Sequence, residues 1–399
     1  MSASMTIALV STTWGKDASG GATFEEDVLR AALEMRTPHR LIVYPDTTFT
    51  RAIVAAADAS SRVTFVKPMR TPRLPKRVLR RVGRVFRRRR PPPLPFAELS
   101  EALLKAGAQC AWMLGGSIIP LDMPYVATIW DLQHRLQPWF PETSSNGEWR
   151  ERERLYSEFV RRAAAVVVGT SSGADEIRDA YGSPPGGVHV LPLPTPSFAL
   201  SAKYGSSLRP DDVPSRYLLY PAQFWAHKNH VTAVRALSAM TLFDHPPDLV
   251  CVGADRGTKE HVMRLASRMG VAERVHLLGF VDRDTLVGLY RNAEALLYPS
   301  LFGPDNLPPL EAMALGCPVI AARVSGAEEQ LGDAALLVDP LDATGYAAAV
   351  RTLRHDPIRR DTLIARGRAR AEGWTAAQYA SAVFALIDAQ IAPMRALWP

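Results

Sequence analysis

The chain has 399 residues, of which 47% are hydrophobic and 22% are charged, a composition typical of globular proteins. A chain of this length predicts two domains rather than one core. The formal net charge is +7, but twelve basic residues lie between Lys67 and Arg90 with no acidic residue among them. The remaining chain has 35 basic and 40 acidic residues. This distribution argues against a nucleic-acid-binding protein with a basic face throughout.

The cysteines and the apolar runs indicate the cellular compartment in which the protein is expected. Cys110, Cys251 and Cys317 are far apart and form no C-x-x-C pair, so neither a disulfide scaffold nor a thiolate metal site is expected. No apolar run approaches the roughly 18 residues that a membrane-spanning helix needs. The first apolar run is short and has no basic residue before it, so we expect a buried strand and not a signal peptide. These features predict a cytoplasmic protein.

In the first half of the chain, short apolar runs alternate with amphipathic stretches, as in βα units. We expect strands at residues 6–11, 40–44, 63–66, 110–114, 125–129, 164–168 and 188–191, and a first helix at residues 24–35. Thr170 is placed to cap another helix, with Asp175 and Glu176 in its first turn. The three prolines that follow, at positions 192, 194 and 196, predict a domain boundary.

The second half repeats this alternation. We expect strands at residues 217–220, 248–252, 275–278, 295–298, 319–321 and 335–338. We expect helices at residues 230–240, 259–269, 283–292, 308–315, 342–354 and 357–372. Helices between consecutive strands imply parallel sheets with right-handed crossovers.

The predicted fold class is therefore α/β, with two Rossmann-like doubly wound domains that face a central cleft. The predicted domains are residues 1–198, with a basic insertion at 67–98, and residues 199–373, which would bind a donor. Residues 374–399 are expected to form a C-terminal helix that packs back on the first domain, with Tyr379, Val383, Phe384 and Ile387 on one face. Ligands of such folds bind at the carboxyl ends of the strands, here in the cleft.

The most informative segment runs from Tyr298 to Ala322 and reads YPSLFGPDNLPPLEAMALGCPVIAA. It predicts a buried strand, a Pro-Asp-Asn turn and a helix that begins at Pro308 or Pro309, where proline is well tolerated. The free N–H groups of the first helical turn favour an anion. Glu311 follows one turn later, and a carboxylate beside an anion site suits the hydroxyls of a ribose.

This segment resembles the donor site of retaining glycosyltransferases of family 4, which have the two-domain GT-B arrangement. The resemblance continues in YPAQFWAHKNH at 220–230, LGFV at 278–281, WTAAQY at 374–379 and WDLQH at 130–134. It covers nearly the whole chain except residues 67–98. Together these motifs are specific, whereas each alone would not be.

The resemblance implies that Glu311 binds the ribose hydroxyls of a nucleotide sugar and that Lys228 binds its pyrophosphate and assists catalysis. A lysine and a helix N-terminus can neutralise two phosphates, so neither a metal nor another cofactor is expected. The other donor-binding residues implied by the resemblance are Gly20, Gly21, Gly279, Phe280 and Val281. Alternatives stay open: Lys228 could be a solvated surface residue, Glu311 a partner of the helix dipole, and residues 279–281 an ordinary strand end.

Two positions depart from the family pattern. Gly303 occupies the place of a glutamate eight residues before Glu311, so Asp305 and Asn306, with Leu307, are expected to contact the sugar instead. A Gly-Pro-x-Asn subgroup of the family shares this feature. Gln223 occupies the place of an arginine, and Arg256 is the candidate substitute.

Acceptor-side chemistry is predicted just after the strand at residues 125–129. The resemblance places a His-Asp pair there, and this chain offers Asp131 and His134, either of which could position or deprotonate the acceptor hydroxyl. A structural role for His134 is equally open. In a retaining front-face reaction the leaving phosphate can itself take that proton. Asp282 and Asp284 imitate a metal-binding D-x-D motif, but a helix cap before Thr285 is favoured.

The basic segment has apolar residues at helical spacing, which predicts a basic amphipathic helix on an anionic membrane. The membrane-binding candidates are Arg77, Arg80, Arg81, Arg84, Arg87 and Arg88. A solvated or disordered insertion is the main alternative. RNA binding is disfavoured because no aromatic platform accompanies the arginines.

The resemblance implies a retaining hexosyltransferase, and the basic segment predicts that it works on the inner face of the cell membrane. Its donor would be a GDP-, UDP- or dTDP-hexose and its acceptor a glycan, lipid-linked as in bacterial surface-polysaccharide synthesis. A nucleotide-sugar 2-epimerase and a non-enzymatic protein of the same architecture are the alternatives.

Overall fold

A computed structural model describes residues 4–11, 20–68, 96–116, 118–202 and 213–396. The six membrane-binding candidates therefore lie outside the described residues. The strands are β1 Thr6–Val10, β2 Arg40–Tyr44, β3 Val63–Phe65, β4 Cys110–Met113, β5 Tyr125–Thr128, β6 Ala165–Val168, β7 Val188–Val190, β8 Tyr217–Pro221, β9 Asp248–Val252, β10 Val275–Gly279, β11 Ala295–Tyr298, β12 Val319–Ala322 and β13 Leu336–Val338.

The helices of the first domain connect these strands along the chain. They are α1 Gly20–Glu34, α2 Thr48–Ala56, α3 Phe96–Lys105, α4 Gln133–Leu136, α5 Pro141–Ser144, α6 Glu148–Arg162, α7 Ser171–Tyr181 and α8 Ser197–Ser201. The later helices are α9 His230–Ala239, α10 Lys259–Arg268, α11 Arg283–Asn292, α12 Leu307–Ala314, α13 Ala327–Leu331, α14 Ala343–His355, α15 Pro357–Glu372, α16 Ala376–Gln390 and α17 Ala392–Ala396.

Each half of the described chain forms one parallel sheet. The first has the strand order β3-β2-β1-β4-β5-β6-β7, and the second has the order β10-β9-β8-β11-β12-β13. The order reverses between β1 and β4 in the first sheet and between β8 and β11 in the second, which defines the switch point of each doubly wound domain. The predicted fold class is confirmed.

Continuous apolar strands account for the parallel sheets, because helices cover both faces of such a sheet. All four residues of β4, β6 and β11 are buried. The chain passes between domains after β7: Leu193 packs on the first core and Ala199 belongs to the second.

The last long helix returns to the first domain. Tyr379, Val383, Phe384 and Ile387 of α16 are buried in the core beside α1 and the first sheet. The indole Nε1 of Trp374, just before this helix, donates a 2.7 Å hydrogen bond to the carbonyl oxygen of Pro192. Trp374 and α16, which follow the last helix of the second domain, thereby connect that domain to the first.

The strand positions predicted from periodicity are confirmed within one or two residues. The longest helices of the described chain that the sequence did not predict are α2, α3 and α6. Helix α6 is rich in Arg and Glu and buries only Tyr156, Phe159 and Val160, a stripe too narrow to produce a clear apolar period. Thr170 caps α7 as expected, but Asp175 and Glu176 lie beyond its first turn because the helix begins at Ser171.

Candidate active site

The switch point of the second domain brings β8 and β11 side by side, and polar side chains follow both strands. Lys228 lies in a short 3-10 turn after β8. Asn229 ends that turn in the left-handed conformation, with φ of 57°, and its side chain caps α9 by accepting from the N–H of Thr232. Its amide also donates 2.9 Å and 2.8 Å bonds to the carbonyls of Pro299 and Pro340, which fixes the turn to the sheet.

The ammonium group of Lys228 is held by neutral oxygen atoms. Its Nζ donates to Tyr298 Oη at 3.1 Å and to Asn306 Oδ1 at 3.3 Å. Tyr298 Oη also donates to Asn306 Oδ1 at 3.0 Å. Within the described chain, no salt bridge joins Lys228 to a carboxylate. The positive charge is therefore available to an anionic ligand.

Asn306 precedes α12 but does not cap it. Its backbone is extended, its side chain makes no capping bond, and Nδ2 donates to the carbonyl of Gly303 at 2.9 Å. The backbone N–H and carbonyl of Asn306 pair with the amide of Gln330 at 3.0 and 2.8 Å. Because the Asn306 Oδ1 is committed to Lys228, and because Pro308 and Pro309 have no N–H, the first turn of α12 offers the uncapped N–H of Leu307 together with the positive end of the helix dipole, which suits an anion. The helix begins at Leu307, one residue earlier than expected.

Glu311 lies one turn into α12 and is buried. Tyr290 Oη donates a 2.6 Å hydrogen bond to Glu311 Oε2. Burial raises the pKa of the Glu311 carboxyl to about 7, an effect that the bond from Tyr290 partly opposes. A buried carboxylate that keeps a second acceptor oxygen can bind hydroxyl groups, because each hydroxyl replaces a lost hydrogen bond to water.

Gly303 has a structural reason for departing from the family pattern. Its φ is +125°, and a Cβ there would lie 2.5 to 2.8 Å from side-chain atoms of Asn306. A glutamate at this position would therefore displace Asn306 and, through it, Lys228. The side chain of Asn306 therefore packs directly over the backbone of Gly303.

Gln223, which occupies the place of an arginine in the family pattern, is bonded to Arg256. Arg256 Nε donates a 2.7 Å hydrogen bond to Gln223 Oε1, and the guanidinium lies 5.5 Å from the ring centroid of Trp225. Gln223 thus holds an arginine close to the position where the family places one. The predicted base-binding stretch begins at Gly279, whose φ is +70° and whose carbonyl accepts from Gly253. Phe280 beside it is 43% exposed, and Val281 is half-buried.

On the other side of the cleft, the N-terminus of α1 in the first domain faces the start of α12. Gly20 begins α1, and a Cβ on Gly20 would lie 3.4 Å from Leu307 Cδ1. Gly21 follows it in the first turn of the helix. Leu307 itself belongs to the first-domain core, so the start of α12 lies against the start of α1. The structure therefore places both helix N-termini at one point of the cleft.

The two acceptor-side candidates lie in different surroundings. Asp131 is half-buried in the cleft, where Oδ1 accepts from the N–H of Gln133 at 2.9 Å. His134 is fully buried, with Nε2 at 3.1 Å from Tyr181 Oη and 3.3 Å from Glu153 Oε2. Burial also lowers its pKa. This placement favours the structural role of His134 over contact with an acceptor.

Asp305 points across the cleft and not into the donor site. A Cβ on Gly169, which follows β6 of the first domain, would collide with Asp305 Oδ2. Burial, and then the charge of Asp131, raise the pKa of Asp305 to about 7. The structure thus favours Asp305 as a contact between domains over the sugar contact expected from the sequence.

The D-x-D pattern has a local explanation. Asp282 accepts from the N–H of Thr285 at 2.7 Å and so caps α11, as favoured. Arg283 pairs with Glu26 of the first domain at 2.7 Å. In the part of the chain that the structure describes, no cluster of His, Cys, Asp or Glu is placed to hold a metal ion.

Sequence reasoning missed several residues of this site. Tyr290 and Tyr298 bind Glu311 and Lys228, and Glu142 of the first domain bonds to His227. Tyr298 ends the predicted strand of the motif, so it could have been found from its position. Tyr290 and Glu142 carry no local signal.

Known proteins are similar to this chain in sequence and in fold. Residues 210–370, about two fifths of the chain, match the family model described as Glycosyl transferases group 1. The chain is 32% identical over 220 residues to D-inositol 3-phosphate glycosyltransferase of Acidothermus cellulolyticus, covering 51% of this chain and 48% of that protein. It is 30% identical over 157 residues to O-antigen chain mannosyltransferase B of Escherichia coli, covering 39% and 41%. The chain spans about half the length of the curated relatives it matches.

The fold as a whole is similar to that of Anabaena HepE, whose crystal structure contains UDP and glucose. The TM-score is 0.67 at 16% identity, and the match covers 96% of this chain and all of the other. The fold and the match describe what the chain is similar to. It has the GT-B arrangement of glycosyltransferases, and its second domain is similar to those of group 1. No helix in the described ranges is both long and apolar enough to cross a membrane.

Proposed function

We propose that the protein is a retaining, metal-independent glycosyltransferase of family 4 that transfers a hexose from a nucleotide-diphosphate sugar. The observation that supports this most is the arrangement of Lys228, Asn306 and Glu311 at the switch point of the second domain. A cation without a carboxylate partner, an uncapped helix N-terminus and a buried carboxylate meet there, which suits a nucleoside diphosphate. The names of the relatives and the UDP in HepE agree with such a donor.

In this proposal, Lys228 and the start of α12 neutralise the charge that develops on the diphosphate as the bond to the sugar breaks. Glu311 accepts hydrogen bonds from the ribose hydroxyls. Arg256, held by Gln223, is the second cation, and the exposed ring of Phe280 lies beside the base. Gly20 and Gly21 let the start of α1 approach the diphosphate from the opposite domain.

The acceptor binds beside Asp131 in this proposal. Asp131 is half-buried at the carboxyl end of β5 and can orient a hydroxyl group of the acceptor. A front-face reaction needs no carboxylate nucleophile, because the incoming hydroxyl enters on the side that the phosphate leaves. The departing phosphate then takes the acceptor proton.

The direct test is a thermal-shift screen of the intact protein with UDP-, GDP- and dTDP-sugars, followed by transfer assays with the sugar that binds. Lys228→Ala and Glu311→Ala are each expected to reduce transfer by about 100-fold or more, the typical effect of removing a charge-stabilising group. Lys259→Ala, on the exposed start of α10, is the matched control and should keep full activity.

Full activity in both folded variants would refute the donor-site assignment. A wild-type protein that is stabilised by no nucleotide sugar would indicate a non-enzymatic protein instead. Conversion of the sugar without an acceptor would indicate a 2-epimerase.

We further propose that the acceptor is a lipid-linked glycan of surface-polysaccharide synthesis, reached at the inner membrane surface. The basic segment between Lys67 and Arg90 supports this, since each Lys or Arg near an anionic surface contributes about 1 kcal/mol. The name of the E. coli relative agrees with such an acceptor. Deletion of residues 76–90 should release the protein from vesicles that contain anionic lipid and leave transfer to a soluble acceptor intact. Vesicle binding that survives the deletion would refute the membrane role.

A further inference from the structure

Glu142 of the first domain bonds directly to the turn that carries Lys228 in the second. Glu142 Oε1 accepts from His227 Nδ1 at 2.6 Å and from the backbone N–H of His227 at 3.1 Å. The two side chains are only 7% and 13% exposed. One carboxylate oxygen thus holds both the ring and the backbone of the residue immediately before Lys228.

A second contact from the same segment supports the first. Gln137 Nε2 donates a 2.9 Å hydrogen bond to the carbonyl of Leu301, and the N–H of Leu301 donates to the carbonyl of His227 at 2.8 Å. Gln137 and Glu142 both belong to residues 133–144, which follow β5. This segment therefore contacts the second domain on both sides of Lys228, at the turn after β8 and at the stretch after β11.

The Glu142 carboxylate has its main hydrogen-bond partner, His227, in the other domain, so this bond forms only when the two domains are in contact. Burial lowers the pKa of His227, so its neutral imidazole donates from Nδ1. Burial raises the pKa of Glu142, but the bonds from His227 outweigh this and hold it below its usual value. Glu142 Oε2 is shielded and has no hydrogen-bond partner in the described structure. Separation of the domains would remove the main partner of this carboxylate.

The segment is also anchored to its own domain. His134 packs against Tyr156, with ring centroids 4.8 Å apart, and bonds to Tyr181 and Glu153. Arg135 forms a salt bridge with the same Glu153. Residues 133–144 are therefore held on α6 and α7 while Glu142 reaches the other domain.

We propose that Glu142 is a positioning residue for the donor: from the acceptor-side domain it orients the turn of His227 and Lys228. Lys228 then binds the diphosphate at full strength only while the two domains are in contact, which couples donor binding to the presence of the acceptor-side domain. This inference rests on the proposed function, because it assigns to Lys228 the binding of a diphosphate.

The test is a double-mutant cycle in the intact protein, with dissociation constants for UDP, GDP and dTDP measured by calorimetry. Glu142→Ala is expected to weaken binding of the preferred nucleotide about 10-fold, a loss typical of a coupled charged contact. If Glu142 acts through Lys228, Glu142→Ala causes no further loss in a Lys228→Ala background. Glu142→Gln, which keeps the size of the side chain, should lie between Glu142→Ala and the wild type.

Glu151→Ala is the matched control, since Glu151 is 53% exposed on α6 and pairs only within that helix. A merely structural role for Glu142 would weaken binding by the same factor with and without Lys228. Equal losses with and without Lys228, or wild-type affinity in both Glu142 variants, would overturn the role of Glu142. Neither result would overturn the proposed function. Failure of the wild type to bind any of the three nucleotides would overturn the proposed function as well.

Discussion

The two domains have the same strand order around their switch points, yet the residues that the structure describes there differ in charge. In the first domain, the loop after β4 is packed closely by its own neighbours. A Cβ on Gly115 would collide with the carboxylate of Glu25, and a Cβ on Gly116 would lie 2.6 Å from the ring of Trp130. Glu25 is buried and accepts a bond from Ser11. In the second domain, the switch point between β8 and β11 holds Lys228, with no salt bridge to a carboxylate in the described structure.

This difference shows that a shared topology provides a place for a ligand, while side chains decide whether the place is open. At these points the first domain presents carboxylates and close-packed glycines, and the second presents a cation. We expect the diphosphate to bind mainly to the second domain, with the first domain completing the site through the start of α1 and through Glu142. The following changes test that division.

The largest effect is expected from Gly303→Ala. The new Cβ would displace Asn306 and leave Lys228 without its Oδ1 partner, and φ of +125° would be strained. Strain of about 1–3 kcal/mol, together with the lost contact, should reduce nucleotide affinity by about 100-fold. Calorimetric titration with the preferred nucleotide measures this. Gly107→Ala, where φ is +88° but no atom lies within 4 Å of the new Cβ, separates strain from collision and should leave affinity unchanged. Equal losses in both variants would contradict the role of Asn306.

A smaller effect is expected from Gly169→Ala in the first domain, and here turnover should fall while nucleotide affinity is kept. The methyl group would push against Asp305 and separate the domains locally. Steady-state kinetics should show turnover reduced by about 10-fold, because small misplacements in a closed site lower the rate more than affinity. Nucleotide affinity should stay within about twofold, because the methyl group displaces Asp305 and leaves the contact of Glu142 with His227 in place. Gly373→Ala, whose Cβ would meet only ordinary contacts at 3.4 Å, is the control. An equal loss of nucleotide affinity would show that the contact of Asp305 also positions the donor site.

The smallest effect is a pH dependence of stability. Burial raises the pKa of Glu311 and of Asp305 to about 7, above the values that such carboxyls have when unfolded. Between about pH 4.5 and 7 the folded protein therefore holds more protons than the unfolded chain, so stability should fall as the pH rises. Glu311→Gln should reduce this fall by about 1 kcal/mol or more for the single group, measured as Tm across that range without ligand. An unchanged slope in Glu311→Gln would show that Glu311 does not titrate there.

Much of the candidate site was predictable because it is local in sequence. Asn306 and Glu311 lie on a single turn and helix, and Lys228 follows a recognisable strand, so their types and spacing predict their surroundings. His134 was less predictable, because the same WDLQH segment allows a ring that faces the cleft or one that faces α6. Asp305 was placed on the sugar from the motif, whereas the structure turns it toward Gly169.

The alternation of apolar runs and helices determined the two parallel sheets, since parallel strands need a long crossover connection, which is usually a helix. The donor motif determined which domain carries the cation and the carboxylate. Only the tertiary structure decided the partners that hold them: Tyr290 on Glu311, Tyr298 on Lys228, and Glu142 on His227. The last of these pairs is 85 residues apart in the chain and belongs to different domains. Such contacts depend on how two independently folded sheets meet, and no local pattern in the chain encodes that.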